Sequence, residues 1–146
     1  MDVNEQFLIE WQCEQLLRRA AQFLDRTDWD AYIECFCQDA VMARPSDPDN
    51  LIVGREAILE SLLARPSRLT CHLLTNTVYE IVSGVQVIAR SRVLLVSGDN
   101  LSERPAVAHA DLLVGSFTDR LRKVDDQWKI ADRRGSIELK YRSGRV

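Results

Sequence analysis

The sequence predicts an α+β fold, with three N-terminal helices packed on a curved antiparallel sheet. Three observations carry this. Apolar residues recur at helical spacing through the first part of the chain. From Thr70 onward the apolar period switches to two. The strand segments then follow one another directly, which makes neighbouring strands antiparallel.

The first helix is predicted over residues 4–25, where Leu8, Trp11, Leu16, Leu17, Ala20 and Leu24 share helical spacing. Asp28 is a short acceptor suited to an N-cap, and Trp29, Tyr32, Ile33 and Phe36 continue as a second helix over 28–38. Val41–Ala43 reads as a short strand and Pro45–Asn50 as a loop. Gly54 precedes a third helix over 55–63, with Ala57, Ile58 and Leu62 facing inward, and Pro66 bars its continuation. Strands are predicted at 70–82, 85–96, 107–122 and 128–139. Ser83-Gly84 and Asp125-Asp126 mark turns, and Ser97–Pro105 a longer polar connection.

Composition narrows the function. A chain of 146 residues suits one domain, here 1–146, and buries roughly 68% of its unfolded surface without staples. The net charge is −3 with basic residues scattered, which argues against a nucleic-acid surface. The acidic start has no apolar run behind it, so neither a signal peptide nor a membrane span is expected, and a cytoplasmic bacterial protein is the default expectation. In that setting the four cysteines are expected as reduced thiols.

The chain has two histidines, His72 and His109, each a candidate base or ligand and each also readable as a hydrogen-bonded structural residue. The strand pattern puts His72 in line with Leu74, Asn76 and Val78, and His109 with Asp111, Leu113 and Gly115. Both are expected on the face that the helices cover. Asp25 ends the apolar stripe of the first helix. From there it is able to meet His72 as a proton-abstraction pair, or to serve as a helix-terminal aspartate. In Arg133-Arg134 one side chain is expected inward and the other outward.

No cofactor is expected in this chain. Cys35 and Cys37, read on a helix, point roughly 200° apart, and no second ligand pair follows. Rieske spacing is missing, and an iron site from His72, His109 and Asp25 or Asp111 has only composition behind it. Cys71 adjoins His72 but faces the opposite side of its strand. The sequence contains neither a glycine-rich phosphate loop nor a nucleophile elbow.

Three stretches resemble the β subunits of aromatic-ring-hydroxylating dioxygenases, within the SnoaL-like, nuclear-transport-factor-type superfamily. The first is Leu24-Asp25-Arg26-Thr27-Asp28-Trp29 through Cys37-Gln38-Asp39-Ala40 and Pro45. The second is Pro66-Ser67-Arg68-Leu69-Thr70-Cys71-His72-Leu73-Leu74-Thr75-Asn76. The third runs from Val114-Gly115-Ser116-Phe117-Thr118-Asp119 through Gln127-Trp128-Lys129-Ile130-Ala131-Asp132-Arg133-Arg134. The resemblance implies a cystatin-like cone and a structural role in aromatic catabolism, with a Rieske-type large (α) subunit or further copies of the chain as partners.

The resemblance departs in two places. Gly54-Arg55-Glu56-Ala57-Ile58 looks more like stand-alone SnoaL-like proteins, and the tail closes early at Ser143-Gly144-Arg145-Val146. Asp25 and His72 also match, in type and order, the Asp–His pair of cofactor-independent relatives such as scytalone dehydratase and hexachlorocyclohexane dehydrochlorinase. The alternative this implies is a dehydratase or isomerase acting on a small apolar or aromatic ligand in the cone. His72 and Asp25 would be its base, with His109 or Arg133 assisting.

Overall fold

Asp2 accepts from the Glu5 amide at 2.8 Å while Glu5 accepts from the Asp2 amide at 3.0 Å. This reciprocal cap starts α1 (Val3–Asp25) in the computed structural model, which describes residues 1–99, 103–109 and 111–142. The buried stripe of α1 is Ile9, Cys13, Leu16, Leu17, Ala20 and Leu24. Leu8 and Trp11, expected inward, are exposed. At 100° per residue each lies more than about 120° from Cys13 around the helix axis, whereas the others cluster near it.

Asp28 caps α2 (Trp29–Glu34) by accepting from the Ala31 amide. The helix stops earlier than its apolar spacing suggests, because the next residues are claimed by the sheet. Phe36 is fully buried at the start of β1 (Phe36–Arg44), and the Ile130 amide donates to the Cys35 carbonyl at 2.8 Å. The expected loop at 45–50 is a two-residue turn followed by an unpredicted strand, β2 (Asp47–Val53). That strand forms a sheet edge and is almost wholly exposed, so it carries no alternating apolar pattern, and an edge tolerates Pro48.

After α3 (Arg55–Leu63) come β3 (Arg68–Ser83), β4 (Gln86–Asp99), β5 (Leu112–Val124) and β6 (Gln127–Tyr141). Together the strands form one curved, unclosed sheet in the order β2-β1-β6-β5-β4-β3. Every neighbouring pair is antiparallel except β1 and β6, which lie far apart in sequence and run parallel. The fold class is thus α+β, as the periodicity predicts. The β5 strand begins at Leu112 rather than 107, and in the segment before it Ala108 makes only an isolated bridge to Gly98. Parts of the expected 97–105 connection and 107–122 strand, namely residues 100–102 and 110, and the tail 143–146 lie outside the described residues.

The β3 strand changes phase partway along. Thr75 pairs with Arg92 and Val78 with Arg90, so Asn76 and Thr77 together oppose Ser91. Asn76 takes a φ of 54° in this bulge. His72 and Leu74 therefore face the helices, as expected, but beyond the bulge Thr77, Tyr79 and Ile81 take the inward side and Val78 is exposed. The inward side chains of β4, Val87 and Ala89, meet the α1 stripe in the core. On the opposite face Leu73, Leu94, Val114 and Leu139 lie side by side across four strands. Leu73 and Leu139 are 50% and 67% exposed. Among the described residues no helix is long and apolar enough to cross a membrane.

Candidate active site

A carboxylate at a helix C-terminus sits at the unfavourable end of the helix dipole. Asp25 is the last residue of α1, and the last turn carries no basic residue to offset it. What holds it is β3. Its Oδ1 accepts from the Thr70 hydroxyl at 3.0 Å, and its Oδ2 from the His72 backbone amide at 2.9 Å. The His72 ring places Nδ1 2.6 Å from Oδ1. A carboxylate can only accept, so Nδ1 carries the hydrogen, and in the neutral ring the lone pair is left on Nε2. The His72 side chain is 12% exposed. Asp25 thus fixes both the orientation and the tautomer of the ring.

His72 lines a cavity of about 350 Å³ between the helices and the sheet. Leu24, Met42, Leu62, Leu95, Leu113, Phe117 and Ile137 supply its apolar wall, and Tyr32, Arg44, Arg65, Arg68 and Arg133 its polar one. The cone is thus open near His72. Trp11 points to solvent, and Phe36 sits in the core without lining the cavity.

Arg133 is 3% exposed and its partner Asp119 fully buried. Nε donates to Asp119 Oδ1 at 2.7 Å and Nη2 to Oδ2 at 3.0 Å, the paired geometry in which a guanidinium matches a carboxylate best. Burial alone would weaken the Arg133 charge, but the Asp119 carboxylate outweighs it and raises the guanidinium above its ordinary value. The ring of Phe117 lies 4.4 Å below the guanidinium carbon. Nη1 donates to the Tyr32 hydroxyl oxygen at 3.3 Å, which leaves the Tyr32 hydrogen free to donate elsewhere. Arg134 points outward to Asp132, as the strand alternation requires.

Of the residues singled out in the sequence, Asp25, His72 and Arg133 gather at this end of the sheet. His109 does not. It lies before β5 on the segment that bridges to Gly98, is exposed, and places Nε2 3.1 Å from Asp99. The expected alignment with Leu113 and Gly115 fails because β5 has not yet begun at residue 109. Asp111 pairs with Lys140, so the imagined iron ligands do not converge. Among the described residues no group of three or more His, Cys, Asp or Glu side chains is arranged to hold a metal.

All four cysteines are free thiols. Cys35 closes α2 and Cys37 lies on β1, and burial raises both thiols. Tyr32 and Asp119 escaped the sequence reading. Tyr32 fits its helix as an ordinary core residue. Asp119 alternates with inward-facing Phe117 and Leu121, and a carboxylate in that row is a legible sign of a buried partner.

The sequence profile of the SnoaL-like domain family matches residues 5–134. No curated protein matches the chain by sequence. Among solved structures, a scytalone dehydratase candidate from Novosphingobium aromaticivorans is similar with a TM-score of 0.81 and 22% identity, covering 99% of each chain. The hexachlorocyclohexane dehydrochlorinase of Novosphingobium barchaimii is similar at 0.80 and 17% identity, covering 99% of this chain and 97% of that one. An aromatic ring hydroxylase candidate from Novosphingobium aromaticivorans follows at 0.73 and 19%, covering 91% and 92%. These likenesses show the fold, a cystatin-like cone.

Proposed function

The chain belongs to the SnoaL-like domain family, and from that premise we propose that it is a cofactor-independent lyase. The observation that carries the reading is His72 itself, with Nδ1 tied to Asp25 and its ring on the wall of an open, largely apolar cavity. His72 Nε2 takes a proton from a carbon acid. The electron pair of that C–H bond becomes a carbon–carbon double bond, and the neighbouring carbon releases a hydroxyl or halide with the electrons of its own bond. A departing hydroxyl leaves as water, with a proton from Tyr32 or from the imidazolium. The net change is loss of water or of hydrogen halide, with no oxidation or reduction. Asp25 stabilises the imidazolium that forms. Tyr32, whose oxygen is held by Arg133, is placed to donate to developing negative charge.

Incubation with a panel of β-hydroxy and β-chloro ketones and the corresponding keto acids tests this. Mass spectrometry is expected to find products lighter by water or hydrogen chloride. In D2O, recovered substrate is expected to carry deuterium at the carbon that loses its proton wherever the proton is returned before the leaving group departs. A panel showing neither elimination nor exchange above the buffer rate would sink the proposal.

The outer apolar row favours a second reading, a structural subunit that joins copies of itself or a Rieske-type large subunit. A solvated antiparallel face is normally polar, yet Leu73, Leu94, Val114 and Leu139 are contiguous here. The likeness to the ring hydroxylase candidate also supports it. Under this reading the chain is expected to be oligomeric by light scattering at micromolar concentration, and Leu94→Arg to shift it to monomer. A wild-type chain that is strictly monomeric alone and with any large subunit would remove the reading.

A further inference from the structure

The cavity concentrates more positive charge than the protein around it balances. Its wall holds four arginines, Arg44, Arg65, Arg68 and Arg133, in a chain whose net charge is −3. Arg133 is matched by Asp119. The other three have no such match. Arg44 donates through Nη2 to the Ser61 carbonyl, a neutral acceptor, and its Nε is buried without an acceptor. Among the described residues no carboxylate pairs with Arg44, Arg65 or Arg68, whereas Arg18, Arg90, Arg122 and Arg134 on the surface each have an acidic partner. Burial and the nearby charges of Arg44 and Arg68 push the Arg65 guanidinium down to about 10. It stays protonated at neutral pH but is under-compensated. Asp99 faces Arg68 across the β3–β4 ladder, yet it binds His109 and does not line the cavity.

Guanidinium groups left unpaired beside an apolar chamber form a receptor for an anion with an apolar body. We infer that the substrate is an organic carboxylate whose acid group is held by Arg44, Arg65 and Arg68 while its carbon skeleton fills the space beside Leu62, Leu113 and Ile137. A phosphate ester could make the same guanidinium contacts, so 2-naphthyl phosphate is titrated beside the acid, and tighter binding of the phosphate would overturn the carboxylate assignment. The inference rests on the lyase reading for its chemistry, but the anion site itself does not need turnover.

Calorimetric titration with 2-naphthoate and its neutral analogue 2-naphthamide separates the two. The wild-type chain is expected to bind the acid at least about tenfold more tightly than the amide, as charge-assisted hydrogen bonds of ordinary strength provide. In Arg65→Gln/Arg68→Gln that preference is expected to disappear while amide binding changes by less than about twofold, with the melting temperature as a check on folding. Arg68 is exposed, so Arg68→Gln alone is expected to fold and to lose part of the preference. His72→Gln is expected to keep the full preference. Equal affinities in the wild type, no binding of the acid, or a preference that survives in the double variant would each overturn the inference. A failed elimination assay leaves it standing, just as failed acid binding leaves the elimination chemistry standing.

Discussion

In the His72→Gln variant, elimination turnover is expected to fall by about 10²–10⁴-fold, the usual contribution of a positioned general base. The fold is expected to survive, because the change costs at most one part-buried hydrogen bond, about 1–3 kcal/mol. Asp25→Asn sharpens the test. With its oxygen in the Oδ2 place asparagine still accepts from the His72 amide, and its NH2 group in the Oδ1 place can donate to the Thr70 hydroxyl oxygen, so the end of α1 stays tied to β3. However, its NH2 group can donate to Nδ1 and move the ring hydrogen to Nε2, where the base is needed. A loss on the order of 10³–10⁴ is therefore expected from the wrong tautomer alone. Steady-state kinetics set beside thermal melting distinguishes the readings. If both variants lose only stability or oligomer yield, and the wild type has no turnover to lose, the structural-subunit reading gains.

The Asp119→Leu variant is expected to show the largest loss of stability. It leaves the Arg133 guanidinium buried without a counter-charge, which typically costs about 3–5 kcal/mol. For a chain of this size that corresponds to a fall in melting temperature of roughly 10 °C or more. Asp119→Leu/Arg133→Met, which removes both charges, is expected to recover most of the loss, since no charge is then stranded. Differential scanning calorimetry of the two variants measures this. A single variant that melts within a degree or two of the wild type would mean that water reaches the pair.

The periodicity switch at Thr70 is a property of the sequence alone, and it was enough to mark the run of long strands β3 to β6, though β1 and β2 precede it. Asp25 and His72 were legible as a pair because each sits on an apolar stripe that must turn inward. Their bond spans 47 positions, and only the docking of α1 on β3 creates it. The edge strand β2 was illegible because an edge with both faces wet has no pattern to show. His109 was misplaced because an alternating apolar run does not reveal where its ladder begins. Tyr32 was hidden for a different reason. Its ring packs as the core demands, with Phe36 5.1 Å away centroid to centroid, and only the hydroxyl takes part in the site.

The bulge at Asn76 divides β3 into two lengths with independent phase. In an unbroken strand, an insertion or deletion anywhere along it would turn every later side chain over. Here the extra residue absorbs that shift. The length that carries His72 is keyed to Asp25, and the length that carries Tyr79 and Ile81 is keyed to the helix core. The half that carries His72 is therefore free to change phase without turning over the half that packs on the helix core.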